Sequence, residues 1–177
     1  GVVTGKYFYE QKHSEIALAM DVNTKAMMHL TLEFLPEMMK RNSGSIANIC
    51  SLAGLISNPK MSVYAASKWA AIGWSDSLRL EMKQLNKNIA VTSILPYYIN
   101  TGMFDGVKSK LLPILKPEAA SEKFMRAIEK GKAIYASPTP YWFVRLSQGI
   151  MPGKAFDWVM DKVFGVHDTM KEFKGRL

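Results

Sequence analysis

The sequence has little cysteine and no long hydrophobic run. Cys50 is the one cysteine among 177 residues, which excludes an intrachain disulfide framework and favours a reducing compartment. No apolar stretch reaches the roughly 18 residues that a membrane-spanning helix needs. With 48% hydrophobic residues and no repeats, residues 1–177 are predicted to fold as a single globular domain in the cytoplasm.

A nucleic-acid-binding pattern is missing despite an excess of basic residues. The chain has 23 Lys and Arg against 15 Asp and Glu, a formal net charge of +8. Such a charge can attract nucleic acid or an anionic membrane. The basic residues are scattered, however, and no nucleic-acid motif accompanies them. We therefore interpret the charge as a solvated surface and expect no nucleic-acid partner.

Signatures of metal sites and hydrolases are also lacking. The chain has three histidines: His13, His29 and His167. They are isolated from one another and from carboxylates at ligand spacing, so no metal site is predicted. Ser51 is flanked by Ile49 and Ala53, where a hydrolase nucleophile elbow needs glycines. Cys50 has no neighbouring His, and we interpret it as a packed strand residue.

The most informative pattern lies in residues 48–68. Residues 45–51 predict a short buried strand that ends on Ser51, and residues 61–85 predict a long helix. Because residues four apart lie on one face of a helix, Tyr64 and Lys68 should point the same way. A hydroxyl, a phenol and an ammonium group are then expected at one point.

These three groups suit proton transfer to and from an alcohol or a carbonyl. A phenol titrates near ~10, and a neighbouring ammonium favours its ionised form, so Lys68 is predicted to lower the pKa of Tyr64. Ser51 would hold the substrate oxygen against the phenol. None of the three can carry a hydride, which requires a nicotinamide or a flavin.

The spacing of this pattern resembles the short-chain dehydrogenase/reductase family. Ser51 stands in Asn-Ile-x-Ser-x-Ala-Gly, thirteen residues before the Tyr64 of Tyr-x-Ala-Ser-Lys. Asp21-Val22-Asn23 precedes it and residues 96–101 (PYYINT) follow in the expected order. The resemblance implies an α/β fold with a three-layer, Rossmann-like parallel sheet, of which this chain supplies only the later strands and helices. It also implies NAD or NADP as the cofactor and a homodimer or homotetramer.

The resemblance implies roles for individual residues. The catalytic set is Asn23, Ser51, Tyr64 and Lys68, with Asn23 in a water-linked proton relay. The cofactor-binding set is Gly1, Tyr64, Lys68, Pro96 and Thr101. The substrate-binding set is Ser51, Tyr97, Tyr98, Met103 and Phe104. Two alternatives stay open: Asn23 as a polar residue that faces a neighbour or water, and the apolar residues after Pro96 as a loop that packs on itself.

A glycine-rich phosphate loop is not found. Gly1 and Gly5 are followed by Tyr7, and Gly102 and Gly106 by Lys108, where a third glycine would be needed. By resemblance, residues 1–5 follow an Asn-Asn-Ala-Gly element. The first strands, the cofactor loop and the residue that selects NAD or NADP are therefore expected upstream.

Further elements are predicted on both sides of the motif. Residues 14–40 should form one helix with Ser14 as its cap and Gly44 at its exit, residues 118–130 a helix, and residues 133–136 a strand. Residues 155–164 carry an apolar stripe: Phe156, Val159, Met160, Val163 and Phe164. The stripe is either a peripheral membrane or lipid-entry element or a cover for the core or a partner subunit. The second is favoured because Asp157 and Asp161 would face an anionic membrane poorly.

Two classes of function are compatible with these patterns. The favoured class is an NAD(P)-dependent oxidoreductase that interconverts an alcohol and a ketone or aldehyde. Residues 96–107, with Thr169-Met170 and Gly175-Arg176, most resemble the retinol and 17-beta-hydroxysteroid dehydrogenase branch, so the substrate is expected to be a small lipophilic molecule. The alternative is a non-catalytic fragment or assembly module of such an enzyme, unable to bind cofactor as it stands.

Overall fold

A parallel sheet positions the rest of the chain. The computed structural model describes residues 1–138 and 141–175. Its strands are β1 (Gly44–Ile49), β2 (Ile89–Pro96) and β3 (Ile134–Ser137), in the spatial order β1-β2-β3. Gly44 lies opposite Ile89, and Ser93 lies opposite Ile134. The predicted strands at 89–95 and 133–136 are thereby confirmed, and β2 is buried along nearly its whole length, as a central parallel strand should be.

β1 differs from its prediction in two ways. It ends at Ile49 rather than Ser51, and only Asn48 along it is fully buried. Side chains of a strand alternate between the two faces of a sheet, and here the alternate positions Ser45, Ala47 and Ile49 are exposed. The expectation of a buried strand was therefore wrong for β1.

Helices cover both faces of the sheet and give the three layers that the resemblance implied. The helical elements are α1 (His13–Met20), the π-helical turn Asp21–Lys25, α2 (Ala26–Arg41), α3 (Ser62–Gln84), α4 (Pro117–Glu129), α5 (Tyr141–Ile150) and α6 (Gly153–Lys162). On one face, Leu78 and Met82 of α3 pack on Val91, together with residues of α2. On the opposite face, Phe124 of α4 packs on Ile94.

The ends of the α1–α2 segment differ from prediction. The Lys12 N–H donates to the Glu15 carboxylate (2.8 Å), so this pair closes the start of α1 and the predicted Ser14 cap is wrong. α2 ends at Arg41, and the left-handed backbone of the next residue, Asn42 (φ 53°), reverses the chain, while Gly44 already belongs to β1. The single predicted helix is also interrupted by the π-helical turn, which carries Asn23.

The carboxyl-terminal part adds one unpredicted helix, α5. α6 agrees with the predicted amphipathic helix to within two residues at each end. Within residues 1–138 and 141–175, no helix is both long and apolar enough to cross a bilayer. Arg176, part of the resemblance above, lies outside the described residues.

Candidate active site

The candidate site lies where β1 and β2 end, at the carboxyl edge of the sheet, which is where open parallel sheets bind ligands. A cavity of about 230 Å³ opens there. Ser51 stands two residues beyond β1 and starts a short 3-10 turn, Leu52–Gly54. Its Oγ accepts a hydrogen bond from the Ala53 N–H (3.1 Å). The hydroxyl that sequence spacing placed at a strand end is thus fixed by the turn that follows the strand.

Tyr64 lies in the first turn of α3 and meets Ser51. Both side chains line the cavity, and the Tyr64 ring is buried among apolar neighbours. Burial raises the pKa of Tyr64 to about 12; the Ser51 hydrogen bond opposes this shift and the nearby Cys50 thiol adds to it. At neutral pH the phenol is therefore protonated and able to donate.

Lys68 lies one helical turn further along α3. Its Nζ donates to the Ile49 carbonyl (2.9 Å) and lies 5.8 Å from the centroid of the Tyr64 ring. Burial lowers the pKa of Lys68. The predicted proximity of Ser51, Tyr64 and Lys68 is therefore observed. The predicted downward shift of the Tyr64 pKa is wrong in this state, because desolvation of the phenol outweighs every group that favours its ionised form.

Asn23 lies behind the cavity and is not part of its lining. It is 1% exposed. Its side-chain amide donates to the Val2 carbonyl (2.9 Å) and the Ser67 hydroxyl (3.0 Å), and its Oδ1 accepts from the Val2 N–H (2.8 Å). Both amide hydrogens are thus used within the protein. The side chain ties residues 1–3 to α3, and a role in a water relay stays a prediction.

Ser67 is a site residue that sequence reasoning missed. Its hydroxyl donates to the Tyr64 carbonyl (2.7 Å) and accepts from Asn23, while its carbonyl accepts from the Thr24 hydroxyl (2.7 Å). These bonds join the π-helical turn to the helix segment between Tyr64 and Lys68. A signal was present, since Ser67 is a small polar residue directly before the lysine, with the apolar Val63 and Ala71 one helical turn away on either side.

The cavity gathers nearly all of the predicted site residues. It is lined by Gly1, Ser51, Tyr64, Lys68, Pro96, Tyr97, Tyr98, Thr101, Met103 and Phe104. Gly1 needs to be a glycine, since a Cβ there would lie 2.9 Å from the Asn23 Oδ1. Phe104 packs edge-on against Tyr64, with ring centroids 5.9 Å apart. The residues after β2 thus form a wall of the cavity instead of packing only on one another.

Opposite the catalytic groups, the cavity is lined mostly by apolar residues of α5 and α6 and by two residues shortly after α6. The lining residues there are Phe143, Val144, Ser147, Phe156, Met160, Phe164 and Val166. The stripe predicted over residues 155–164 therefore supplies three cavity residues, Phe156 and Met160 within α6 and Phe164 just after it, which makes it a cover over the cavity. The contribution of α5 was missed, although Tyr141–Ile150 carries an amphipathic helical pattern.

Cys50 is packed in the core beside this site, as predicted. Burial raises the pKa of its thiol to about 11, opposed by Lys68 and by hydrogen bonds with Ser93 and Ser75. The thiol therefore stays protonated and unreactive at neutral pH.

The chain is similar in sequence to known proteins. A family model described as short chain dehydrogenase matches residues 1–111. The chain is 35% identical over 180 residues to epidermal retinol dehydrogenase 2 of Mus musculus, covering 99% of this chain and 58% of that protein. It is 33% identical to retinol dehydrogenase 10-B of Danio rerio, with 98% and 53% covered. The chain spans about half the length of these curated relatives.

Solved structures show the same fold. A short-chain dehydrogenase from Sphingobium yanoikuyae in complex with NADPH superposes with a TM-score of 0.73 at 21% identity, covering 92% of this chain and 62% of that one. A short chain dehydrogenase from Burkholderia cenocepacia J2315 in complex with NADP gives a TM-score of 0.72 at 24% identity, covering 85% and 63%. Their identities are low, so the likeness concerns the architecture.

Proposed function

Because this chain belongs to the short-chain dehydrogenase family, we propose that the full-length protein is an NAD(P)-dependent oxidoreductase that interconverts a lipophilic alcohol and its ketone or aldehyde. One observation carries the proposal. The Ser51 hydroxyl and the Tyr64 phenol line one open cavity, where Ser51 acts on the pKa of the phenol as a hydrogen-bond partner, and the Lys68 Nζ lies 5.8 Å from the centroid of the phenol ring.

Proton transfer is the task of Tyr64 and Ser51. A substrate oxygen placed between them accepts a hydrogen bond from Ser51 and exchanges its proton with the phenol. In carbonyl reduction the phenol, protonated at neutral pH, donates that proton. In alcohol oxidation the Tyr64 oxygen must accept the proton of the alcohol. Oxidation therefore requires the phenolate form of Tyr64 and is favoured by high pH.

Lys68 and its neighbours fit the nicotinamide end of a cofactor. The Lys68 ammonium has three hydrogens, and one is donated to Ile49, which leaves two for ribose hydroxyls or for the phenol. Gly1 and Thr101 line the cavity, together with Pro96 at the end of β2. A bound nicotinamide would supply the hydride donor or acceptor that these side chains lack.

Apolar lining supports a lipophilic substrate. Beyond the catalytic groups, the cavity is bounded chiefly by aromatic rings, methionines and leucine, and apolar surface of this kind gains free energy by covering apolar ligand surface. The names of the curated relatives point the same way, to retinol. Retinoid-like and steroid-like alcohols are therefore the proposed substrate classes.

An oxidation assay on the full-length protein tests the proposal. Retinoid, steroid and short-chain alcohols would be compared with NAD and with NADP, by following the reduced nicotinamide. Tyr64→Phe should lower kcat/KM by about 10²–10⁴, while the matched control Tyr9→Phe, which alters a phenol that is 83% exposed, should leave it unchanged. An active Tyr64→Phe protein, or a preference for short alcohols, would contradict the mechanism or the substrate class, respectively.

The alternative function, a non-catalytic fragment or assembly module, applies to residues 1–177 taken alone. It is supported by the sequence, which contains no glycine-rich phosphate loop. Titrating NAD and NADP into residues 1–177 and into the full-length protein distinguishes the enzyme from the non-catalytic module. Binding by the longer protein alone favours the enzyme with its site completed elsewhere in the chain, and binding by neither favours the module.

Self-association is proposed as well, as a homodimer or homotetramer. α2 exposes Leu30, Leu32 and Phe34, and α3 exposes Trp69 and Leu80, which are large apolar side chains of the kind that interfaces cover. Sedimentation of the full-length protein would show a monomer if this proposal is wrong.

A cytoplasmic location with peripheral membrane contact is the remaining proposal. The outer faces of α5 and α6 expose Trp142, Ile150 and Trp158, and such side chains insert at membrane interfaces. Co-sedimentation with vesicles of neutral and of anionic lipid tests this contact, and absence of binding to both would contradict it.

A further inference from the structure

The segment that follows α6 crosses behind the cavity and carries a buried hydroxyl outside the catalytic set. Thr169 follows a 3-10 turn, Val166–Asp168, and is 1% exposed. It does not line the cavity. Its Oγ1 donates to the Val166 carbonyl (2.9 Å), which leaves the oxygen free to accept.

Three distant parts of the chain meet at this hydroxyl. Thr169 Oγ1 accepts from the Tyr98 phenol and from the Asn58 amide, each at 3.1 Å, and Asn58 also donates to the Tyr98 oxygen at 3.1 Å. Tyr98 follows β2, and Asn58 lies in the loop that leads into α3. Burial raises the pKa of Tyr98 well above its ordinary value, so the phenol stays neutral and serves as a fixed donor.

The Tyr98 ring connects this cluster to the catalytic tyrosine. Its centroid lies 4.9 Å from that of Phe104, at an interplanar angle of 68°. Phe104 in turn stands edge-on to Tyr64. Tyr98 and Phe104 both line the cavity, so the orientation of two wall residues depends on the buried hydrogen bonds of the Tyr98 hydroxyl with Thr169, Asn58 and the Met61 Sδ.

The same segment also supports the cavity wall through its backbone. The Lys108 N–H donates to the Thr169 carbonyl (3.3 Å), and the Lys174 N–H donates to the Asp105 carbonyl (2.9 Å). Residues 101–112, which include Phe104, are therefore held from behind by residues 169–174.

We infer that Thr169 is a positioning residue for substrate specificity. Through its bond with the Tyr98 phenol it holds the Tyr98–Phe104 pair as a rigid wall against which a bulky lipophilic substrate packs. A short alcohol reaches only Ser51 and Tyr64, so its turnover does not depend on that wall. This inference rests on the proposed function.

The test compares two substrates in the full-length protein with its nicotinamide cofactor. Thr169→Val removes the hydroxyl but keeps the shape of the side chain, and Thr169→Ser keeps the hydroxyl. We expect Thr169→Val to raise KM for a bulky retinoid or steroid alcohol about tenfold, with kcat and short-alcohol turnover little changed. Thr169→Ser should behave like the wild type.

Other outcomes overturn the inference. Equal losses for both alcohols would mean that the bond only stabilises the fold, and unchanged KM would mean that the wall does not need it. If Thr169→Val fails to fold, Thr169→Ala, which removes the hydroxyl without placing a methyl group against the Tyr98 and Asn58 side chains, should also raise KM for the bulky alcohol and leave short-alcohol turnover little changed. A wild-type protein inactive towards every alcohol would instead refute the proposed function, and the inference with it.

Discussion

The two ends of the cavity are built in different ways. At the catalytic end, directional hydrogen bonds donated by Asn23, Ser67 and Lys68, and one accepted by Ser51, fix the groups around Tyr64. At the other end, α5 and α6 present mostly apolar side chains, and α5 is tied to the loop after β1 by a bond from the Gln148 amide to the Leu55 carbonyl. Hydrogen bonds hold atoms at set distances and angles, whereas apolar contacts are not directional. The catalytic end should therefore tolerate little change, and the apolar end should adapt to its ligand.

Replacing the buried lysine should give the largest effect. In Lys68→Met the ammonium beside Tyr64 is lost and the Ile49 carbonyl loses its donor. We expect kcat/KM to fall at least about 100-fold. Lys25→Met, which alters an exposed lysine paired with Asp21, is the control and should keep full activity. If kcat/KM of Lys68→Met stays within a few-fold of the wild-type value, the catalytic end tolerates substitution as well as the apolar end does.

Alanine substitution at two glycines, one beside α3 and one within it, should change the free energy of unfolding in opposite directions. A Cβ at Gly54 would lie 2.8 Å from the Lys68 carbonyl oxygen and 2.5 Å from Ile72 Cδ1, whereas a Cβ at Gly73 would have open space around it. Gly54→Ala should therefore lower the free energy of unfolding by about 1–3 kcal/mol. Gly73→Ala, within α3, should raise it by about 0.5–1 kcal/mol. Urea denaturation of both variants measures the contrast, and equal changes would refute the close packing of the 3-10 turn on α3.

At the apolar end, one side chain should change affinity for large substrates only. Phe156→Ala removes an aromatic ring from the cavity lining and should raise KM for a bulky alcohol about tenfold, since lost burial of roughly 60 Å² of ring surface corresponds to about 1.5 kcal/mol. The control is Trp158→Ala on the exposed side of α6, which should leave KM unchanged. A fall in kcat for short alcohols would show that the two ends are not independent.

The smallest expected effect is in the ultraviolet absorbance that reports ionisation of the Tyr64 phenol. Because burial raises its pKa to about 12, its neutral form persists at a pH of about 10, where an exposed phenol is half ionised. Ultraviolet titrations of the wild type and Tyr64→Phe should therefore coincide up to that pH. An additional phenolate in the wild type at or below it would mean that Lys68 dominates the site after all, as the sequence alone suggested.

The sequence predicted which catalytic residues lie together, but it did not predict the properties that depend on residues distant in sequence. Ser51, Tyr64 and Lys68 could be placed together because helix period and motif spacing fix which residues share a face. The direction of the Tyr64 pKa shift could not be predicted, since it depends on burial by Phe104 and other residues far away in sequence. The Ser14 cap failed because the helix already begins at His13, where the Glu15 carboxylate accepts from the Lys12 N–H. Ser67 and Thr169 went unrecognised as hydrogen-bonding partners for the same reason as the pKa: their partners become neighbours only in the folded chain.

The most direct measurement is a crystal structure of the full-length protein with nicotinamide cofactor and a bound lipophilic alcohol analogue. The account predicts the alcohol oxygen within about 3 Å of both the Ser51 Oγ and the Tyr64 hydroxyl oxygen, with the apolar body of the ligand directed towards α5 and α6. An alcohol oxygen that contacts neither hydroxyl would contradict the proposal that this corner performs the proton transfer.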